Sequence, residues 1–94
     1  ERTTRSLLQL AGEVPQRLAT LFVVLLERFG DEGPQGELQL PLALSRRAFA
    51  RLVNARVETV IRVLSKWDKD HFVETTEHGF TVRDTSRLHA EAGR

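Results

Sequence analysis

The sequence predicts a mainly helical domain of the α+β class, in which two short helices joined by a tight turn are followed by a β-hairpin. Two observations predict this class. Apolar residues recur at the three- and four-residue spacing of helices over most of the chain, and two stretches near the C-terminus alternate polar and apolar residues as strands do. A chain of 94 residues, 40% of them hydrophobic, is the size of one small domain with a single core.

Composition excludes several classes of protein. The chain has no cysteine, which excludes a disulfide scaffold and a cysteine-based zinc site and agrees with a reducing compartment. Its longest apolar run spans residues 21–26, far short of the roughly 20 residues that a membrane-spanning helix needs. Because the chain starts at Glu1 and contains no methionine, we expect it to be a processed product or, in preference, a piece of a longer protein. No signal peptide is visible.

Two helices are predicted before residue 30. The first is a short helix over residues 4–10 that Gly12 ends, and the second begins in the turn that contains Pro15 and ends at Gly30. Apolar residues at helical spacing give the second helix one buried face, formed by Val14, Leu18, Leu21, Phe22, Leu25, Leu26 and Phe29.

A loop and a short strand follow. The glycines, proline and acidic residues of residues 31–36 indicate a loop. The alternation of polar and apolar residues over 37–40 predicts a strand, which Pro41 either ends or keeps at the edge of a sheet.

The next segment predicts two helices separated by a tight turn. Ser45 is suited to cap the first of them, whose apolar positions are Ala48, Phe49, Leu52 and Val53. Asn54 follows, and asparagine is one of the few residues besides glycine that tolerates the left-handed conformation at a helix end. The second helix is predicted from about residue 56 to residue 69.

The C-terminal part predicts a hairpin and a last helix. Residues 72–74 and 80–82 form the two strands, with a glycine near the tip between them. Asp84 or Thr85 caps a short helix that ends near Ala92. Two helices joined by a tight turn and followed by a two-stranded ribbon describe a winged helix-turn-helix with a short C-terminal β-hairpin wing.

Charge is distributed unevenly along a chain whose net charge is only +1. Residues 45–66 contain six basic side chains and a single acid, Glu58, so this stretch carries +5 and the remainder carries −4. The segregation predicts a positive surface on a mildly acidic body. A solvated, charged helix face is the alternative interpretation.

The second helix of the pair has two distinct faces. At about 100° per residue, one sector collects the apolar residues Val60, Val63, Leu64 and Trp67. The opposite sector collects Glu58, Thr59, Arg62 and Lys66. Such a polar set suits base reading, because an arginine can donate two hydrogen bonds to guanine and a carboxylate can accept one from cytosine. Thr59, with the N–H groups of the first turn, can hold a phosphate. The alternative is a routine surface ion pair between Glu58 and Arg62.

The residues of this segment resemble a known family. Residues 44–64 resemble the helix-turn-helix of the cyclic-AMP receptor protein / fumarate-and-nitrate-reduction regulator (CRP/FNR) family, whose signature opens with Ser/Thr-Arg and continues, after the turn, with Arg-Glu-Thr-Val-x-Arg. Residues 58–62, Glu-Thr-Val-Ile-Arg, match the core of that signature. Residues 14–19 look like the first helix of the family's DNA-binding domain, and the His78-Gly79 pair lies where the family has its wing tip.

The resemblance implies a DNA-reading domain of a cytoplasmic bacterial transcription regulator. Residues 1–12 would end a dimerisation helix and residues 13–94 would form the DNA-binding domain. Double-stranded DNA is the implied partner, the full-length protein is a homodimer with an N-terminal effector-sensing domain, and RNA polymerase is a further partner. Glu58 and Arg62 would read bases, and the implied phosphate contacts are Ser45, Arg46, Arg56, Thr59, Lys66, His78 and Gly79.

One departure from the family pattern affects the base contacts. Val57 stands where the family usually has an arginine, so one guanine contact is either lost or replaced by an apolar contact of Val57 with a thymine methyl group. The family's consensus operator is therefore not expected for this chain.

No motif in the sequence indicates catalysis or a cofactor. The three histidines lie on different predicted elements without the spacing of a helical metal pair, and there is no glycine-rich phosphate loop or nucleophile elbow. We therefore expect no enzyme activity, no metal and no cofactor in this chain. The alternative to a DNA-binding domain is a winged helix that serves only as a protein-interaction or dimerisation module.

Overall fold

A computed structural model describes residues 12–93, which form four helices and four short strands. The helices are α1 (Val14–Phe29), α2 (Arg46–Val53), α3 (Val57–Lys69) and α4 (Thr85–Glu91). The strands are β1 (Asp31–Glu32), β2 (Leu38–Leu40), β3 (Val73–Thr75) and β4 (Phe80–Val82). The predicted order of elements is confirmed from α1 onward, and the helix predicted over residues 4–10 lies outside the described residues.

The C-terminal hairpin is part of a larger sheet. β3 and β4 pair antiparallel, with Val73 opposite Val82, which confirms the predicted wing. β4 also pairs with β2, and β2 pairs with β1, giving one antiparallel sheet in the order β1-β2-β4-β3. The sheet is therefore larger than the predicted two-stranded ribbon, because β4 pairs with β2 as well as with β3.

The position of β2 in the sheet corrects two expectations about its neighbours. Residues 31–36 are not a loop throughout, since Asp31 and Glu32 pair with Gln39 and Leu38. Of the two consequences expected from Pro41, the end of the strand at Leu40 is confirmed, whereas the edge position is wrong because β2 lies between β1 and β4.

Aromatic side chains form the centre of the core. Phe22 from α1 stacks on Phe49 from α2 at 5.3 Å between ring centroids, and Phe80 from β4 meets both rings edge-on at 5.4 and 5.3 Å. Trp67 from α3 contacts Phe22 at 6.2 Å and Phe72 at 5.1 Å, also edge-on. Edge-to-face pairs add to the stability that area burial provides. One cluster therefore joins α1, both helices of the pair and the sheet.

Two side chains predicted for the core are exposed instead. Phe29 is 49% exposed because it is the last residue of α1 and lies beyond the buried part of that helix, which ends at Val23. Leu52 is 42% exposed because the buried face of α2 is formed by Phe49, Ala50 and Val53, so that Leu52 lies to one side of it. No helix of residues 12–93 is long and apolar enough to cross a membrane.

The predicted capping residues end and begin the helices as expected. The Ser45 hydroxyl accepts a hydrogen bond from the Ala48 N–H at 3.0 Å at the start of α2. Asp84, rather than Thr85, caps α4, where its Oδ1 accepts from the Arg87 N–H at 3.0 Å. Asn54 adopts the left-handed conformation, with φ 56° and ψ 58°, and this residue turns the chain from α2 towards α3.

Candidate nucleic-acid interface

The turn between α2 and α3 is fixed by hydrogen bonds from two directions. Within the turn, the Ala55 N–H donates to the Ala50 carbonyl at 2.9 Å. From α1, the Arg17 guanidinium donates through Nε to the Val53 carbonyl at 2.9 Å and through Nη2 to the Asn54 carbonyl at 3.3 Å. These carbonyls are at the negative end of the α2 dipole, where a cation is stabilising. Arg17 therefore positions the turn from which α3 begins.

The two faces of α3 are divided much as the sequence predicts. Val60, Leu64 and Trp67 are buried against the core, which confirms the inward stripe, and Val63 is half-buried at its margin. Glu58, Arg62 and Lys66 are exposed, while Thr59 is half-buried. The predicted polar side chains thus stand on the face of α3 that is turned away from the core.

Two further side chains lie on the outward face of α3. Ser65 is exposed and, seven residues after Glu58, points within about 20° of it around the helix axis. Ile61 is exposed too, at 46%, about 60° to one side of Glu58, whereas Arg62 lies about 40° to the other side. The seven-residue spacing in the sequence places Ser65 on the face of Glu58, whereas Ile61 lies at the edge of that face.

Glu58 and Arg62 do not pair with each other. Their four-residue spacing permits an ion pair, but none joins them among the ion pairs that residues 12–93 make. The routine surface pair considered above is therefore not formed. Both charged groups are available to hydrogen-bond donors and acceptors of another molecule.

Basic side chains surround this face. Arg47, Arg51 and Arg56 are exposed, and within residues 12–93 no carboxylate lies at ion-pair distance from any of them. Lys66 is exposed and its Nζ is 3.4 Å from Asp70 Oδ2. The positive surface predicted from the charge pattern is thus made mostly of arginines that lack an acidic partner in the described part of the chain.

Arg46 has a different environment from the other arginines. Its Nη2 donates to the Thr75 hydroxyl at 2.9 Å, and its guanidinium lies 5.8 Å from the centre of the Phe80 ring. It is half-buried between the start of α2 and the sheet. The structure therefore gives Arg46 a role in holding the wing against α2, which the sequence did not predict.

The tip of the wing presents one of the two residues predicted there. His78 is exposed, with 88% of its side chain accessible. Gly79 is buried; its carbonyl accepts from the Thr76 N–H at 2.8 Å, and a Cβ at this position would overlap the Leu40 carbonyl oxygen. Gly79 thus lets the hairpin pack against β2, and it presents little surface for a phosphate contact.

Carboxylates beyond α3 are held in ion pairs of their own. Asp70 Oδ2 is 3.1 Å from Arg87 Nη2, and this hydrogen bond is the main cause of a lowered pKa at Asp70. Glu74 lies 3.0 Å from His71 Nδ1 and 2.9 Å from Arg83 Nε, and these two hydrogen bonds, that of His71 first, lower the pKa of Glu74. No group of three potential metal ligands occurs within residues 12–93.

Comparison with known proteins places this geometry in a family. The sequence model of the Crp-like helix-turn-helix domain matches residues 16–91. No curated protein matches the sequence.

Several solved structures share the fold. A transcriptional regulator of the CRP family from Thermus thermophilus aligns over 99% of this chain and 46% of its own, with 22% identity and a TM-score of 0.79. The CO-dependent transcription factor CooA from Carboxydothermus hydrogenoformans, in its imidazole-bound form, aligns over 97% of this chain and 40% of its own, with 21% identity and a TM-score of 0.75. A second Thermus thermophilus regulator, of the CRP/FNR family, aligns over 87% and 41%, with 19% identity and a TM-score of 0.72. The chain spans less than half the length of each of these regulators.

Proposed function

The chain belongs to the family of Crp-like helix-turn-helix domains, which are DNA-binding domains of transcription regulators. We propose that it reads double-stranded DNA sequence-specifically, with α3 in the major groove. The observation that carries the proposal is the outward face of α3, where Glu58 and Arg62 are exposed and unpaired with each other. The major groove is about 12 Å wide and admits a helix, and each base pair displays a distinct set of donors and acceptors there.

The two charged residues of α3 make the base contacts. Arg62 donates two parallel hydrogen bonds to O6 and N7 of a guanine, and Glu58 accepts from the amino group of a cytosine. Because the two side chains are four residues apart on one helix face, they reach neighbouring base pairs. A fixed pair of contacts of this kind discriminates against other bases by about 1–3 kcal/mol for each good contact.

Phosphate contacts supply the part of the affinity that does not depend on sequence. Arg47, Arg51 and Arg56 beside α3, and Lys66 on it, carry exposed positive charge, and neutralised phosphates release counterions. At the start of α3 no side chain caps the helix, so the N–H groups of Val57 and Glu58 and the hydroxyl of Thr59 are suited to bind a phosphate oxygen.

Three contacts near the edges of the surface complete this proposal. The Ser45 hydroxyl already accepts from Ala48, and its hydrogen remains for a phosphate. His78 contacts the backbone from the wing tip. Arg46, hydrogen-bonded to Thr75, contributes mainly by holding the wing in place.

The remaining functional expectations concern a longer protein of which this chain would be one domain. We propose a regulator that has an N-terminal effector-sensing domain, forms a homodimer, contacts RNA polymerase and acts in the cytoplasm. The supporting observation is that the related regulators are more than twice as long as this chain. We propose neither an enzyme activity nor a cofactor for the domain itself.

Selection of bound duplexes from a random pool tests this function. We expect one sequence to be enriched, and its affinity to fall steeply with salt, with a logarithmic slope of about 0.9 for each phosphate neutralised. Arg62→Glu should lose the preference for the enriched sequence. The matched control is Arg28→Glu, a charge reversal at an exposed position in α1, which should keep it.

Two results would contradict the proposed function. The first is a pool that yields no enriched duplex, which would favour a domain that binds only other proteins. The second is an Arg62→Glu variant that retains the sequence preference of the unchanged chain.

A further inference from the structure

One large apolar side chain interrupts the polar, outward face of α3. Ile61 is 46% exposed and lies beside Glu58, on the side opposite to Arg62. It does not belong to the core or to the partly buried residues that pack against the core. An isolated exposed aliphatic residue is common on protein surfaces, so exposure alone does not indicate a binding role for Ile61. Its position beside the polar residues of the outward face of α3 does.

We propose that Ile61 is a specificity residue that contacts the C5-methyl group of a thymine next to the base pair read by Glu58. This inference rests on the proposed function, because it requires α3 to lie in the major groove. Thymine is the base that displays an apolar group in that groove, so an aliphatic side chain on the reading face selects it.

The structure favours Ile61 over Val57 for this contact. The sequence assigned a thymine contact to Val57 as one of two alternatives, but Val57 is half-buried, less exposed than Ile61, and packs against the core. Ile61 follows it by one helical turn and is rotated about 40° further towards the outward face. The apolar contact with DNA is thus shifted from Val57 to Ile61.

The chemistry of the isoleucine side chain suits such a contact. Its β-branched carbon restricts the first side-chain torsion in a helix largely to one rotamer, so little conformational freedom is lost on binding. Residues three apart on a helix have Cβ atoms about 5–6 Å apart, and stacked bases rise 3.4 Å. Ile61 therefore reaches the base pair adjacent to the one that Glu58 contacts, or the next one along.

Single replacement of thymine by deoxyuridine tests the inference, since it removes only the C5-methyl group. The duplex enriched by the unchanged chain is made with one thymine replaced at a time, and the dissociation constant of each is measured. At one thymine for each bound domain we expect about three- to fivefold weaker binding, which corresponds to one buried methyl-sized group. Ile61→Ala should bind the parent duplex more weakly by about the same factor and should be insensitive to the replacement.

A matched control uses another exposed aliphatic residue. Leu52 is 42% exposed but lies on α2, away from the outward face of α3, so Leu52→Ala should keep the sensitivity to deoxyuridine. Because Ile61 is exposed and lies outside the core cluster, Ile61→Ala should melt within about 2 °C of the unchanged chain, and Ile61→Val should restore most of the sensitivity.

The results that overturn this inference differ from those that overturn the proposed function. If the duplex is bound and depends on Arg62, but deoxyuridine affects the unchanged chain and Ile61→Ala equally at every thymine, Ile61 reads no methyl group and only this inference fails. If no duplex is enriched at all, the proposed function fails and the inference fails with it.

Discussion

The two faces of α3 differ in what holds their side chains. On the inward face, Val60, Leu64 and Trp67 are buried, and Trp67 contacts aromatic rings from α1 and from the segment before β3. On the outward face, Glu58 and Arg62 have no ion-pair partner in the described part of the chain. The inward face therefore determines the stability of the domain and the outward face determines what it binds. Substitutions on the two faces should have separable effects.

The largest expected effect on stability is that of Trp67→Ala. Removal of this buried indole leaves a cavity between two aromatic rings and should lower the free energy of unfolding by about 3–5 kcal/mol. Denaturant unfolding followed by circular dichroism measures the change. The control is Ser65→Ala on the outward face of the same helix, which should stay within about 0.5 kcal/mol of the unchanged chain. Equal stability of the two variants would contradict the division of α3 into a stabilising and a binding face.

A smaller loss is expected for Arg17→Met, which keeps much of the side-chain bulk but removes the hydrogen bonds to the end of α2. Hydrogen bonds from a charged group contribute about 1.5–3 kcal/mol, and we expect a decrease in the free energy of unfolding of that order. Arg28→Met, at an exposed position of the same helix, serves as control and should change stability by less than about 0.5 kcal/mol. Indistinguishable unfolding curves for the two variants would show that Arg17 does not fix the turn.

Gly79→Ala tests the wing separately from both faces of α3. A methyl group at this position meets the Leu40 carbonyl oxygen, so the hairpin and β2 must move apart, at a cost of about 1–3 kcal/mol. Glu77→Ala, at an exposed position of the same turn, should have no measurable effect on the melting temperature. If Gly79→Ala and the unchanged chain have the same melting temperature, the sheet does not need the close approach of its hairpin to β2.

The smallest expected effect is a loss of folding stability at low pH. The pKa of Asp70 is lowered from 3.8 by the Arg87 hydrogen bond, and that of Glu74 is lowered from 4.5 by His71 and Arg83. A carboxylate whose pKa is lower in the folded state stabilises the fold fully above its unfolded value, and this contribution is lost as the pH falls through its folded value. The contribution of these two carboxylates to stability should therefore be constant above about pH 5 and decline as the pH falls below about 4.

The variant that tests this assignment is Asp70→Asn. It should melt at a slightly lower temperature than the unchanged chain at pH 7, and the difference between the two should shrink as the pH falls below 4. A difference that is the same at pH 3 and pH 7 would exclude the ion pairs of Asp70 as its cause.

Local signals in the sequence predicted most of the fold, and contacts between distant residues account for the remainder. The bounds of α1, the cap at Ser45 and the left-handed Asn54 depend on neighbouring residues, and each was predicted. The pairing of β2 with β4 joins residues about 40 positions apart, and no pattern of neighbouring residues indicates it. The same reason explains why the bonds of Arg17 to the turn were missed.

The candidate site shows a similar division. Helical periodicity alone located the outward face of α3 and its exposed residues Glu58 and Arg62. It did not show how far Val57 is turned towards the core or Ile61 away from it, since that depends on how α3 sits against α1 and the sheet. The family resemblance predicted a phosphate contact for Arg46. Its contacts with Thr75 and Phe80 were not predicted, because they depend on where the wing lies.

The most direct test of the account is an NMR titration of the domain with its selected duplex, followed at the backbone amides. If the outward face of α3 reads the major groove, the largest shift changes should occur at Glu58, Ile61 and Arg62, with smaller ones at Ser45 and His78. The amides of β1 should change little. Changes concentrated in β1 or in α1, with those of α3 unaffected, would contradict the account.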